Sequence, residues 1–442
     1  MTLTTANVQQ RKIVIVGGGV AGLIIASNLG RSWGRGVRTD RPAPAITLVD
    51  SDSSHVWKPM LHMIAAGTRD IFQQQTSYIA QARYRGFTYE PGEMSGLDRS
   101  GRSILVAPLL GPDGRLLVPE RRISYDTLIM AVGSRANDFG TPGVAEYCMM
   151  IDSRRQADAF NREIRLRMLQ CLTQDAELPI AIVGGGATGV ELAAELVQLV
   201  ETSVTYGAHG LKERITITLI ESGPRLLAAF PEDISAATRE RLEALGVNVM
   251  TDTRVSAASA DGFVLVDGQQ VNASLKVWAA GVKGPDFLAD LDGLEATRSN
   301  QLIILPSLQT SRDTNIFAIG DCSSLTLPDA ARPLPPTAQV AHQQAQHLIR
   351  HLPEAIQEDS PVPDFAYRDL GSLVSLGDYD AYGSLGKFGF FKSVTIRGRL
   401  AQFSHLMLYR SHQARLYGFW RGGLLWLVDL LNSRLRAGIR LD

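Results

Sequence analysis

A chain of 442 residues, 45% hydrophobic and 20% charged, carries enough apolar material for two or three cores and too much for one. Its formal net charge of -1 gives no global attraction to nucleic acid, so any phosphate must be held by local loops. Cys148, Cys171 and Cys322 lie far apart without a C-x-x-C pair, which argues against a disulfide framework or a zinc site and for a reducing compartment.

The chain opens on polar MTLTTANVQQRK, without the apolar run of a secretory signal, and cytosolic exposure is expected. Lys12–Val16 (KIVIV) leads at once into GGGVAG and an apolar helical stretch through Leu29, the strand, phosphate loop and helix that open a doubly wound sheet. Gly17, Gly19 and Gly22 keep the G-x-G-x-x-G spacing. Their missing side chains permit a tight turn and bring backbone N–H groups and a helix N-terminus onto a pyrophosphate. Asp50 closes the strand ITLVD, placed to accept from a ribose 2′-hydroxyl. It lies farther on than the usual ~20 residues, the excess falling in RSWGRGVRTDRPAP, read as a loop insertion.

Tyr125–Ser134 (YDTLIMAVGS) reads as a buried strand that closes on a turn at Gly133. A second copy of the motif begins at Ile180: IAIV, GGGATG, then VELAAELVQLV, with Gly184, Gly186 and Gly189 at the same spacing and Glu221 ending ITITLIES. An acid there binds a free 2′-hydroxyl and repels a 2′-phosphate, which favours NADH over NADPH. Lys276–Val282 (KVWAAGV), with its turn at Gly281, is the counterpart of the earlier strand and turn. Asn315–Cys322 (NIFAIGDC) returns the chain to the first domain, and Asp321 can reach cofactor hydroxyls or phosphate-bound waters, or cap the following helix.

The last segment, from about His405, holds Arg410, Arg415, Arg421, Arg434, Arg436 and Arg440 against Asp429 and Asp442, a basic end on a chain of net charge -1. Leu416, Phe419, Trp420, Gly423, Leu424, Leu427, Val428 and Leu431 follow helical spacing and form one apolar aromatic stripe, with Arg421 and Asp429 off it. Only Gly422 to Val428 separate those two charges, too few to span a bilayer, which takes ~20 residues. Such a helix lies in a membrane interface, or packs on the protein's own core or on a twin subunit in a homodimer.

Several segments carry a family resemblance: KIVIVGGG, HVWKPMLH, YDTLIMAVGS, TPGV, AIVGGGATGVELAAEL, VWAAGVKGPDFL, IFAIGDC, AQVAHQ and GSLVSLG. Through them the chain resembles the type II NADH:quinone oxidoreductases, the single-subunit, non-pumping respiratory NADH dehydrogenases, and especially their bacterial branch. The resemblance implies an α/β fold: two Rossmann-like domains for FAD and NADH, the second inserted in the first, and a smaller C-terminal domain with a membrane-surface helix. The domain bounds expected are 1–137 and 291–345 for FAD, 138–290 for NADH and 346–442 for the C-terminal domain. Hydride would pass from NADH to FAD and two electrons on to a membrane quinone, ubiquinone or menaquinone, by a peripheral protein on the cytoplasmic face of the cell membrane.

The A-Q-x-A-x-Q pattern of Ala338, Gln339, Ala341 and Gln343 matches the family's quinone site, where an amide can donate to a carbonyl without bringing charge into an apolar tunnel. Glu191 matches a glutamate between nicotinamide and flavin, and Lys58 and Pro59 match a segment beside the isoalloxazine ring. Ser51–Gly67 lacks the redox cysteine pair of the disulfide reductases, while Cys148 and Cys322 leave room for sulfide:quinone chemistry. A flavin-bearing NADH sensor without turnover is the alternative from another class. Neither metal nor nucleic acid is expected.

Overall fold

Lys12–Val16, Ala45–Asp50 and Thr127–Met130 are short aliphatic runs, largely buried, as strands of a parallel sheet covered on both faces must be. In the computed structural model, which describes residues 10–34, 42–69, 75–328, 330–377, 379–385 and 394–435, they form the centre of a six-stranded sheet. The chain forms two compact units, one drawn from Met1–Val56, Gln75–Arg135 and Val282–Tyr367, the other from Trp57–Gln74, Ala136–Gly281 and Arg368–Asp442.

In the first unit the strands run Gln309–Thr310, Asp313–Ala318, Thr127–Met130, Lys12–Val16, Ala45–Asp50, Thr88–Pro91 across the sheet. All neighbours are parallel except the Gln309–Thr310 edge. Strand order reverses at Lys12–Val16, with Ala45–Asp50 on one side and Thr127–Met130 on the other, and that reversal opens a crevice at the carboxyl ends of the strands. Before Thr127–Met130 the chain inserts an antiparallel sheet of Met94–Asp98, Ser103–Val106 and Arg121–Ser124. Helix Val20–Gly34 packs on helix Ala338–Glu358, which runs unbroken across residue 345. The insertion expected after the first helix is partly helix, since Arg31–Gly34 continue it; residues 35–41 lie outside the described residues.

The second unit repeats the plan. Its parallel sheet runs Asn248–Met250, Ile215–Ile220, Leu178–Val183, Leu275–Trp278, and an antiparallel sheet of Val255–Ala258, Gly262–Leu265 and Gln270–Asn272 again precedes the last strand. Helix Leu61–Ala66 packs on helices Arg154–Thr173 and Ala187–Thr205, and Asn161 Nδ2 donates to the Ala65 carbonyl at 3.2 Å.

The antiparallel stretch expected near the end is a three-stranded sheet, Gly371–Leu376, Asp380–Leu385 and Val394–Arg397, with helix Arg399–Tyr417 packed on it. Gly418, at φ 87°, ends that helix, and Phe419–Leu435 forms a second one against it. The expected single stripe is therefore split. Leu416 belongs to the first helix and is 1% exposed, whereas Phe419, Trp420 and Leu424 on the second are 77%, 82% and 64% exposed.

Candidate functional site

The two glycine loops fold alike because the same close approaches are built into each. A Cβ on Gly17, at φ +99°, would lie 2.3 Å from the Ala131 carbonyl oxygen, and one on Gly184, at φ +115°, would lie 2.7 Å from Ala279 C. Where each helix starts, a Cβ on Gly22 would lie 1.9 Å from Gly17 O, and one on Gly189 would lie 2.0 Å from Gly184 O. Only glycine lets the turn and the helix touch backbone to backbone. The Gly17 N–H donates to Val49 O and the Gly184 N–H to Ile220 O, each at 2.8 Å. In front of both helices the space is open: among the described residues, nothing beyond the chain neighbours and the helix's own backbone lies within 4 Å of a Cβ on Gly19 or Gly186. A pyrophosphate fits such a cradle, where free N–H groups and the helix dipole meet it.

The strand-end acids hold these loops. Asp50 Oδ2 accepts from the Gly18 N–H at 2.5 Å, and its Oδ1 accepts from Asp52 N–H at 2.7 Å. Glu221 repeats this, its Oε2 accepting from Gly185 N–H and its Oε1 from Gly223 N–H, both at 2.6 Å. Ser222 Oγ also donates to Glu221 Oε1 at 3.2 Å, and a carboxylate has about four acceptor positions, so a ribose hydroxyl can still be accepted at Glu221. Glu221→Arg is therefore expected to raise KM for NADH at least tenfold and to narrow the preference over NADPH, since a charge-assisted bond and a repulsion both vanish. Steady-state kinetics with both nucleotides checks this, and unchanged discrimination would dismiss Glu221 as the ribose acid.

Gly133 and Gly281 end their strands at φ 72° and 64°. Asp321 sits in the short 3-10 turn Gly320–Cys322, and its Oδ2 accepts from Ser134 Oγ at 2.8 Å. That bond joins the turns at the ends of two adjacent strands, so helix capping is not what the side chain does. The next helix is seated by Gln344, 1% exposed, whose Oε1 accepts from the Gly320 N–H at 2.7 Å. Ala341 packs against Gly320, where an added Cβ would lie 3.1 Å from the Ala341 Cβ. Gln339 and Gln343, one turn apart and half-buried, share a face of this helix. The anchoring Gln344 had no sequence signal beyond an amphipathic helix.

Glu191, on helix Ala187–Thr205, is buried among polar groups from three elements. Its Oε1 accepts from Ser375 N–H at 3.1 Å, and His62 Nδ1 lies 3.3 Å from Oε2. One turn on, Glu195 is 1% exposed and accepts from Thr68 Oγ1. Burial drives the Glu191 carboxyl up to about 8; the Ser375 N–H pulls it down and the Glu195 carboxylate pushes it up. Glu191 therefore holds a proton at neutral pH, beyond the first-turn role that sequence alone would give it. Sequence reading passed over His62, Thr68, Glu195 and Ser375, since their convergence is long-range.

Lys58 stands half-buried in the 3-10 turn Lys58–Met60, just after Trp57, whose ring lies 5.4 Å from Tyr409 and 6.1 Å from His412. Asp429 on the last helix pairs with Arg410 on the preceding one at 2.6 Å, so two of the counted charges neutralise each other. Residues 436–442, with Arg436 and Arg440, lie outside the described residues, as does the side chain of Arg434. No described helix is long and apolar enough to cross a membrane. Burial pushes the Cys148 thiol to about 12 and the Cys322 thiol to about 11, so neither supplies a thiolate at neutral pH.

Two parallel sheets, each with a glycine loop, a helix N-terminus and a loop-holding acid, define a two-dinucleotide oxidoreductase, and the pyridine nucleotide-disulphide oxidoreductase family model matches residues 11–345. A Type II NADH:quinone oxidoreductase of Haemophilus influenzae is 40% identical over 98% of this chain and 100% of its own length. One from Staphylococcus aureus is 28% identical over 85% of this chain and 89% of its own. The chain belongs to the type II NADH:quinone oxidoreductases. The fold is shared with NDH2 from Plasmodium falciparum, solved in complex with NADH, at TM-score 0.81 and 19% identity over 98% of this chain and 100% of that one. It is shared less closely with the sulfide:quinone oxidoreductase of Aquifex aeolicus, at TM-score 0.72 and 16% identity over 97% and 96%.

Proposed function

We propose that this chain oxidises NADH and reduces a quinone through FAD, with the first glycine loop holding FAD and the second NADH. The carrying observation is the duplicated loop, closed in each copy by a strand-end carboxylate on the second glycine, in a chain 40% identical to a curated relative of that activity. Bound FAD supplies the hydride acceptor and the electron pair for the quinone. Gly17, Gly19, Gly22, Asp50, Gly133 and Asp321 bind and orient it. Gly184, Gly186, Gly189, Glu221 and Gly281 do so for NADH. Lys58 is assigned to the isoalloxazine ring and Glu191 to the nicotinamide side, where it keeps a proton on its carboxyl at neutral pH. Gln339 and Gln343 are assigned to the quinone carbonyls, as neutral donors. On this reading 1–137 with 291–345 is the FAD domain, 138–290 the NADH domain and 346–442 the membrane-facing domain.

The test is a pair of half-reactions. Anaerobic NADH should bleach the yellow protein and a short-chain quinone should restore its colour; in Gln339→Leu the bleaching persists and the restoration slows at least tenfold. Bleaching without restoration by any quinone would leave a sensor or another acceptor.

The exposed aromatic face of Phe419–Leu435 supports docking on an anionic membrane at the cytoplasmic face, where lipid-soluble quinone is found. Replacing Phe419, Trp420 and Leu424 with Ser should release the protein from anionic vesicles and slow oxidation of NADH by membrane-held quinone. Reduction of a water-soluble acceptor should survive. If co-sedimentation with vesicles is unchanged while the protein turns monomeric, the face is a homodimer contact instead.

A further inference from the structure

The carbonyl of Gly18, the middle glycine of the first loop, is held from inside by two side chains. Tyr78 Oη donates to it at 2.9 Å, and His55 Nδ1 lies 3.0 Å from it; each of the two residues is 3% exposed. They are brought together by a two-residue antiparallel ladder, Ser54↔Ser77 and His55↔Thr76, that ends where Tyr78 begins, and Tyr78 N–H donates to Ser53 O at 3.1 Å. Tyr78 also explains the glycine, since a Cβ on Gly18 would lie 2.4 Å from its hydroxyl. The second loop does the same task without side chains: Leu227 N–H donates to Gly185 O at 2.8 Å, from a residue at φ 50°.

We infer that His55 and Tyr78 are positioning residues for the FAD pyrophosphate, holding the Gly18 carbonyl inward so that the Gly19 N–H of the same peptide unit points outward into the open cradle. In a trans peptide C=O and N–H are antiparallel, so fixing one aims the other. Asp50 fixes the preceding peptide through the Gly18 N–H, and the two locks leave the loop little freedom. Burial keeps the His55 ring neutral, its pKa pushed down to about 4, and the Gly18 carbonyl, which can only accept, selects the tautomer with its hydrogen on Nδ1. The inference rests on assigning the first loop to FAD.

The experiment measures the rate at which flavin fluorescence appears when the diluted holoprotein releases FAD. Losing one of two donors to a buried carbonyl should speed release about tenfold in His55→Leu or Tyr78→Phe, and about a hundredfold in the double variant. His55→Asn should release FAD at nearly the original rate, because its amide nitrogen takes the place of Nδ1. For Tyr78→Phe, which deletes one buried oxygen and carries the test if His55→Leu does not fold, the FAD-free protein should melt only a few degrees lower and keep its affinity for NADH. Equal release rates in all variants overturn the inference while the FAD assignment stands. Loss of NADH affinity with FAD retained would overturn the assignment, and the inference with it.

Discussion

Gly184→Val is expected to abolish reduction of the flavin by NADH, with at least a hundredfold fall in kcat/KM, while the purified protein keeps its full complement of FAD. Gly184 sits at φ +115°, where a β-branched residue is strained. Its Cβ would also lie 2.7 Å from Ala279 C and 2.8 Å from Ala280 N, both backbone atoms that cannot rotate away. The loop must therefore move, and the bonds from Gly184 N–H to Ile220 O and from Gly185 N–H to Glu221 go with it. Displacement by about 1 Å is enough to cost about a hundredfold in a positioned reaction. The counterpart, Gly17→Val, should shed FAD and leave NADH binding. Anaerobic stopped-flow bleaching and the ratio of flavin to protein absorbance separate the two cases, and a Gly184→Val protein reduced by NADH at the original rate would end the assignment of the second loop.

Glu191→Gln should change the pH dependence of both stability and turnover. In the folded chain the carboxyl keeps its proton up to about pH 8, against 4.5 for its ordinary value. Because the folded value is the higher one, the stabilisation is fully present below 4.5 and is lost as pH rises through 8. That difference corresponds to a change on the order of 5 kcal/mol across the window. Gln cannot ionise, so the variant should melt no lower than the parent at pH 9 and show a flatter profile between pH 5 and 9. Turnover should lose any step near pH 8, because no proton leaves that position. Parallel melting profiles for parent and variant would show that Glu191 is ionised throughout.

Much of the site was legible because its determinants are local. Strand, G-x-G-x-x-G and helix follow one another within a few residues, and the glycine spacing reflects contacts that a loop makes with its own helix, as Gly22 does with Gly17. The strand-end acids were legible as positions at the close of an aliphatic run, whereas their hold on the N–H of the second glycine in each loop was not. The reading of the C-terminal stripe as one helix failed at Gly418, whose left-handed conformation puts Leu416 in the interior and Phe419 outside. Periodicity counts apolar positions without registering a break in the helix.

What sequence alone determined is the pair of glycine loops, the acids at the strand ends and the family likeness, since each depends on residue type at short spacing. Tertiary structure decided which polar groups meet. Glu191 becomes a proton-holding carboxyl because burial beneath segments far apart in the sequence disfavours its charged form, against the opposing pull of the Ser375 N–H. The middle glycine of the first loop is required by a tyrosine sixty positions on. Such groups are set by burial and by partners brought close through folding, and neither quantity is carried by the spacing of residues along a chain.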